Sequence, residues 1–263
     1  IFGKFGFPEM GVQELVLEIY SLLVLLFISI LILIKHPKVK SYKLWKRQRV
    51  VAEGIKEGLR LGIPIGGIVF AVSRYFFVVG LYGKFPSIVI ASHQSAMNFS
   101  NLMYAFPAGI SSAMAIVVSY EIGAKRYDDV KKIRRLGRVT ALFISAFTLV
   151  FLYLLRNQVA SLYGTDPEFI AQLPSFLTYS LFFQLADTFA APLQGILRGY
   201  KDTTVPFCLG LLGYWGVALP LGLFLDNICK FGPYGYWIGL IASLIVTGIL
   251  YQIRLKQVEK KCK

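Results

Sequence analysis

The chain is 263 residues long, 56% of them hydrophobic, and carries a formal net charge of +14. Its mean hydropathy of +0.62 is too high for a water-soluble domain and fits a polytopic membrane protein. The charge is not a nucleic-acid signature, because the Lys and Arg residues fall between the apolar stretches rather than on one basic face.

Seven apolar stretches of helical length follow one another: Val12–Ile34, Leu61–Leu81, Ile88–Ile122, Val139–Leu155, Phe169–Leu197, Val205–Leu225 and Tyr234–Ile253. In hydrocarbon every backbone polar group must be satisfied within its own segment, so each reads as a transmembrane helix and the fold class as an all-α helical bundle. Residues 36–57 between the first two are polar and basic, with Leu44, Trp45, Val50, Val51 and Ile55 spaced for either a surface-lying amphipathic piece or an ordinary topology-setting loop. On this reading the chain divides into a helix at 1–35, a linker at 36–57 and a six-helix lobe with a basic tail at 58–263.

Basic residues set the orientation. Placing the linker in the cytoplasm puts 23 Lys/Arg on that side and four on the other, Lys4, Lys84, Arg156 and Lys230, with Arg74 left inside a span. The bias puts the C-terminus in the cytoplasm and the N-terminus outside. An outside N-terminus with neither an initiator Met nor a signal peptide makes Ile1 read as a truncation point.

Along the first span, Glu14 and Glu18 share a face near the outer end, reaching either the interface or a cavity. The second span carries Arg74 near its middle, too deep to snorkel comfortably, so it faces protein or a cavity and needs a partner. The third span is the most polar. Its Gln94, Asn98 and Asn101 follow steps of four and three, so they share a face, and such an amide stripe either bonds neighbouring helices or lines a wet cavity; Tyr104 is a further polar residue of the same span. Asp166, before Pro167, reads as a helix N-cap without invoking any ligand.

Asp187 is the most informative residue. It lies in Phe176–Pro192 (FLTYSLFFQLADTFAAP), a run with no other charge, where a carboxylate is costly and function is the default explanation. It is also the only carboxylate comparably deep in the last six spans, so an Arg74–Asp187 pair is the economical expectation. Pro64, Pro107, Pro174, Pro192 and Pro220 are compatible with kinks that serve a conformational change and with ordinary close packing. Cys208, Cys229 and Cys262 are too scattered for a disulfide framework or a metal site. No catalytic constellation, phosphate loop or metal-ligand spacing is present, so neither an enzyme nor a bound cofactor is expected.

Three segments carry a family resemblance: Gly58–Ser73 (GLRLGIPIGGIVFAVS), His93–Ala124 (HQSAMNFSNLMYAFPAGISSAMAIVVSYEIGA) and Phe183–Thr203 (FQLADTFAAPLQGILRGYKDT). They resemble the C-terminal half of multidrug and toxic compound extrusion transporters. The resemblance implies two six-helix lobes around a central cavity in the plasma membrane. This chain would supply the last helix of the first lobe and all of the second, with the rest of the N-terminal lobe as the missing partner. It implies export of a cationic or amphiphilic compound in exchange for H⁺ or Na⁺, with membrane lipid as the surroundings.

Residue by residue, the resemblance gives Asp187 the cation-coupling role and makes Gln94 and Asp166 drug-contacting positions; Asn98, Asn101 and Tyr104 join them as candidate substrate-binding residues. A straight helix would hold Asp166 and Asp187 roughly 30 Å apart, too far for one small ligand to touch both. Two departures stand out: Ala71 occupies a position that is Glu in the sodium-linked pattern, with Arg74 one turn on, and Phe183 replaces an aromatic hydroxyl one turn before Asp187. The alternatives are a lipid-linked sugar flippase of the same superfamily, in which more charge would line the cavity, and a non-transporting scaffold lobe, which leaves Asp187 unexplained.

The orientation is directly testable. With the native cysteines replaced, a membrane-impermeant maleimide should label Lys230→Cys in intact cells and spare Lys132→Cys; the reverse pattern contradicts it.

Overall fold

The computed structural model describes residues 12–35, 37, 52–82, 85–164 and 166–261, with side chains described at all of these except 12–19, 72–82 and 261. Each of the seven expected spans coincides with helix. These are α1 (Val12–Lys35), α2 (Ala52–Tyr82), α3 (Ser87–Gly123), α4 (Tyr127–Tyr163), α5 (Pro167–Gly199), a composite rod of α6 (Thr204–Leu211), a π-helical segment (Leu212–Ala218) and α7 (Leu219–Asn227), and α8 (Pro233–Lys261). Among the described residues there is no strand. Five of the rods, α3, α4, α5, the composite and α8, are long and apolar enough within the described residues to cross a bilayer. The chain falls into two compact units, Ile1–Lys56 and Glu57–Lys263. The amphipathic positions 44, 45, 50 and 51 of the linker lie outside the described residues.

Within the larger unit α5 is the central rod: α3, α4 and α8 all pack against it. Two apolar clusters divide along it. Leu173, Phe176, Leu177 and Leu181 pack with Leu152 of α4 and Trp237 of α8 in one. Leu193, Ile196 and Leu197 pack with Met114 and Val118 of α3 and Tyr251 and Leu255 of α8 in the other. Lipid-facing sides are apolar too, as the strongly exposed Val139, Phe143, Phe147 and Leu154 of α4 show. The drive to assemble such helices is therefore close packing rather than the exclusion of water.

Small residues permit that packing. A Cβ on Gly195 of α5 would lie 2.1 Å from the Ser111 carbonyl oxygen of α3, and one on Gly199 would lie 2.8 Å from Val118. Ala191, Gly195 and Gly199 repeat every four residues, so one small-residue stripe of α5 admits α3 along two turns. Between the π segment and α8 a Cβ on Gly213 would meet Thr247 Oγ1 at 2.1 Å, and one on Gly239 the Ala218 carbonyl oxygen at 2.5 Å, so small residues also seat that pair.

The π segment has a local cause. Pro220 has no N–H for the Gly216 carbonyl, and the N–H of Leu219 reaches back five residues to the carbonyl of Tyr214. The prolines inside α2, α3 and α5 leave those helices unbroken. Two polar contacts cross between helices inside the bundle: Gln184 Nε2 donates to Thr148 Oγ1 at 2.8 Å, and Trp237 Nε1 donates to His93 Nδ1 at 3.1 Å.

Charge pairs gather at the basic end. Arg254 binds Asp202 at 2.6 Å, Arg134 Nη1 binds both Glu259 oxygens at 2.5 and 2.8 Å, and Lys201 donates to Glu57 at 2.5 Å. The hydrogen bond and charge of Lys201 hold the Glu57 carboxyl below its ordinary range.

Gly195→Val should destabilise the bundle by about 1–3 kcal/mol, since the obstruction is backbone that no side-chain rotation removes. Gly109→Ala, where a Cβ meets nothing within 4 Å, should leave stability unchanged or slightly raised. Thermal unfolding in detergent distinguishes them, and equal melting temperatures contradict the close-approach account.

Candidate functional site

The α3–α5 crossing leaves a cavity of about 260 Å³ beside it. One face of α5 forms its back wall: Phe183, Asp187, Ala190, Ala191 and Gln194 follow helical steps and all line it. The two alanines provide the room. Met97, Asn101 and Tyr104 of α3 form a second wall, and Ile68 and Val69 of α2 a third. The composite rod contributes Gly210 and Tyr214, and α8 contributes Leu244, Thr247 and Tyr251. Tyr251 donates its hydroxyl to the Pro206 carbonyl at 3.0 Å, joining α8 to α6 beside the cavity.

Asp187 is the only carboxylate in this lining, and none of the ion pairs among the described residues involves it. Its half-buried position on an otherwise uncharged span gives the cavity a fixed acidic group with amide and hydroxyl neighbours, an arrangement suited to holding a proton or a cation.

A second cavity of about 200 Å³ adjoins the first and shares Ile68, Val69, Tyr104 and Gln194 with it. Arg198 lines it, one turn beyond Gln194, and its Nη2 donates to Gln194 Oε1 at 3.1 Å and Ser111 Oγ at 3.4 Å. Asp187, Gln194 and Arg198 thus form one polar stripe down α5, acidic at one end and basic at the other, with an amide between. Spacings of seven and four were there to be read, but Arg198 counted in the sequence only as a topology-setting loop charge.

The candidate residues separate into groups. Asp187, Asn101 and Tyr104 line the first cavity, and Tyr104 lines both. Asn98 lies outside these linings and accepts a hydrogen bond from Tyr163 at 2.9 Å, tying α3 to α4. Gln94 is exposed and lines neither cavity. Asp166 caps α5, accepting from the N–H groups of Glu168 at 2.9 Å and Phe169 at 3.4 Å, with Pro167 as the first helical residue. Because α5 runs unbroken to Gly199, Asp166 and Asp187 stay about 30 Å apart. The side chains of Arg74, Glu14 and Glu18 lie outside the described residues, and so does an Arg74–Asp187 pair. Ala71 is buried and lines neither cavity.

Tyr214, Thr247 and Tyr251 were not singled out in the sequence, although with Tyr104 they give the first cavity four hydroxyl-bearing side chains. The loss of an aromatic hydroxyl at Phe183 therefore does not leave the carboxylate's surroundings without hydroxyls.

Five membrane-length helices, three of them packed on the central rod α5, with a largely apolar cavity that has a single carboxylate in its wall, define a multi-pass membrane protein. The MatE family model matches residues 64–224. The chain is 62% identical over 99% of its length to the probable multidrug resistance protein NorM of Streptococcus pneumoniae R6, and 37% identical over 99% to that of Bacillus subtilis. The chain belongs to the MatE family. It spans 58% of the length of both relatives. Among solved structures, the eukaryotic MATE transporter AtDTX14 superposes with a TM-score of 0.72 at 21% identity, covering 80% of this chain and 49% of that one. An outward-facing MATE family multidrug resistance transporter gives 0.71 at 19% identity, covering 82% and 50%. These superpositions speak to the fold.

Proposed function

We propose that this chain forms the Asp187-bearing lobe of a secondary active multidrug efflux antiporter in the plasma membrane, with the C-terminus in the cytoplasm. The antiporter exports cationic or amphiphilic compounds in exchange for H⁺ or Na⁺. The observation that carries the reading is the cavity itself: apolar over most of its wall, with one carboxylate, two amides and four hydroxyl-bearing side chains in its lining. The curated relatives are named as probable multidrug resistance proteins, which supports the same class.

In this mechanism Asp187 is the coupling group. Ionised, it attracts a cationic substrate into the cavity; protonated, it loses that attraction and the substrate leaves on the other side. A ligand shifts the equilibrium between inward and outward states only by its differential affinity for them, and the charge on Asp187 supplies that difference. Asn101 and Tyr104 offer an amide and a hydroxyl to the substrate's polar edge, while Met97, Ile68 and Val69 meet its apolar body. Arg74, on the helix that also carries Ile68 and Val69, serves as counter-charge to Asp187 when no cation is bound. With Asp187 the single carboxylate in the wall, we read H⁺, rather than Na⁺, as the coupling ion. Alternating access further requires a second lobe facing the cavity, and no cofactor or covalent step is involved.

The test joins residues 1–263 to the N-terminal portion of the Streptococcus pneumoniae relative and follows ethidium efflux from cells or liposomes. The joined protein should transport in sodium-free buffer under an imposed proton gradient, and Asp187→Asn should fall to the empty-vector level. Transport that appears only on adding Na⁺, or that survives in Asp187→Asn, overturns the mechanism.

A further inference from the structure

At the basic end of the bundle, α4 and α8 both pack on α5 but hardly on each other. The gap between them is spanned by long side chains, Arg134 to Glu259 and Arg138 Nη1 to Gln252 Oε1 at 3.5 Å. Beside these lies a cavity of about 240 Å³, lined by Tyr127 and Lys131 of α4, Tyr200 at the end of α5, and Lys256, Glu259 and Lys260 of α8. The cavity that holds Asp187 shares none of these residues.

The charges in this groove do not cancel. Glu259 is already engaged by Arg134, and Lys131 by Asp128 at 2.7 Å. Lys256 and Lys260, four residues apart on one face of α8, take part in none of the ion pairs among the described residues. Two ammonium groups therefore flank the opening, with two tyrosine rings beside them.

The same face of α8 indicates what reaches the groove. Ile245, Ile249 and Ile253 are about half exposed and recur every four residues, and Lys256 and Lys260 continue that stripe at steps of three and four. An exposed isoleucine row leading into a lysine pair matches, in order and direction, an acyl chain leading into an anionic headgroup. A basic pocket between transmembrane helices at headgroup level is the physical form such recognition takes.

We propose that the groove between α4 and α8 is a binding site for an anionic phospholipid, whose phosphate sits between Lys256 and Lys260 and whose acyl chain lies along Ile253, Ile249 and Ile245. The site depends on the bilayer surroundings of these helices and not on transport or on the orientation of the chain. Its failure and the failure of the efflux reading are thus separate results.

The 263-residue chain, purified in an uncharged detergent, is titrated with dioctanoyl phosphatidylglycerol, dioctanoyl phosphatidylcholine or inorganic phosphate, and bound lipid is counted by native mass spectrometry. Phosphatidylglycerol should bind saturably at one molecule per chain and phosphatidylcholine far more weakly. Lys256→Gln with Lys260→Gln should weaken phosphatidylglycerol roughly 30-fold, since each basic residue near an anionic headgroup is worth about fivefold. Lys256→Arg with Lys260→Arg should retain it, as should Lys125→Gln with Lys132→Gln, which removes two charges from the same end but outside the groove. Equal binding of the two lipids overturns the proposal, as does full retention in the groove glutamine pair or an equal loss in the Lys125/Lys132 pair. Displacement of the lipid by equimolar inorganic phosphate also overturns it, because the site would then recognise a free anion. If the glutamine pair fails to fold, the lipid comparison on the unmodified chain and the arginine pair still decide.

Discussion

A carboxylate cannot rest in hydrocarbon, and the larger unit of this protein is arranged around that restriction. Asp187 has to meet protein dipoles, water or a cation, so the helix that carries it must be surrounded on that face by something other than lipid. The structure meets the requirement by making α5 the hub, with α2, α3, the composite rod and α8 supplying the other walls of the cavity. The small-residue stripe at Ala191, Gly195 and Gly199 is the geometric counterpart: it brings α3 close enough for Asn101 and Tyr104 to share a cavity with Asp187. Bulk on that stripe would push the walls apart, so packing and site depend on the same few residues.

The polar stripe down α5 extends the arrangement toward the basic end. Gln194 lies between a cavity with a carboxylate and a cavity with a guanidinium and lines both, while it accepts a hydrogen bond from Arg198. Near the other wall the rod is interrupted: at the π segment the hydrogen-bond return lengthens to five residues, and Tyr214 from within it reaches the cavity. Wide turns of this kind are frequent at functional sites because they turn a side chain that a regular helix would aim elsewhere.

Much of the fold was legible in the sequence, because the bilayer leaves so few options. Seven apolar stretches give seven helical rods, and the carboxylate inside an otherwise uncharged span marks the helix against which α3, α4 and α8 pack. The π segment was not legible, since Pro220 signals a disturbance without saying whether a kink, a break or a wide turn results. The site was legible in depth but not in azimuth. Gln94, Asn98 and Asn101 do share a broad face of α3, yet at about 100° per residue the cavity-facing arc is centred on Met97, Asn101 and Tyr104, leaving Gln94 and Asn98 roughly 80–120° from Tyr104. Spacing along one helix shows which residues travel together, and only the neighbouring helices decide which edge of that face is covered. Arg198 was missed for a related reason: a charge at a span end reads as topology until a facing helix encloses it.

The proposed exchange of a proton for a cation at Asp187 is tested most directly by infrared difference spectroscopy on the joined two-lobe protein in sodium-free lipid vesicles. With isotopically labelled aspartate, adding tetraphenylphosphonium should remove a label-shifted stretch of a protonated carboxyl and give rise to carboxylate absorption, and Asp187→Asn should abolish both changes. The same difference spectrum in Asp187→Asn, or binding of the cation with no change in any aspartate band, contradicts the assignment.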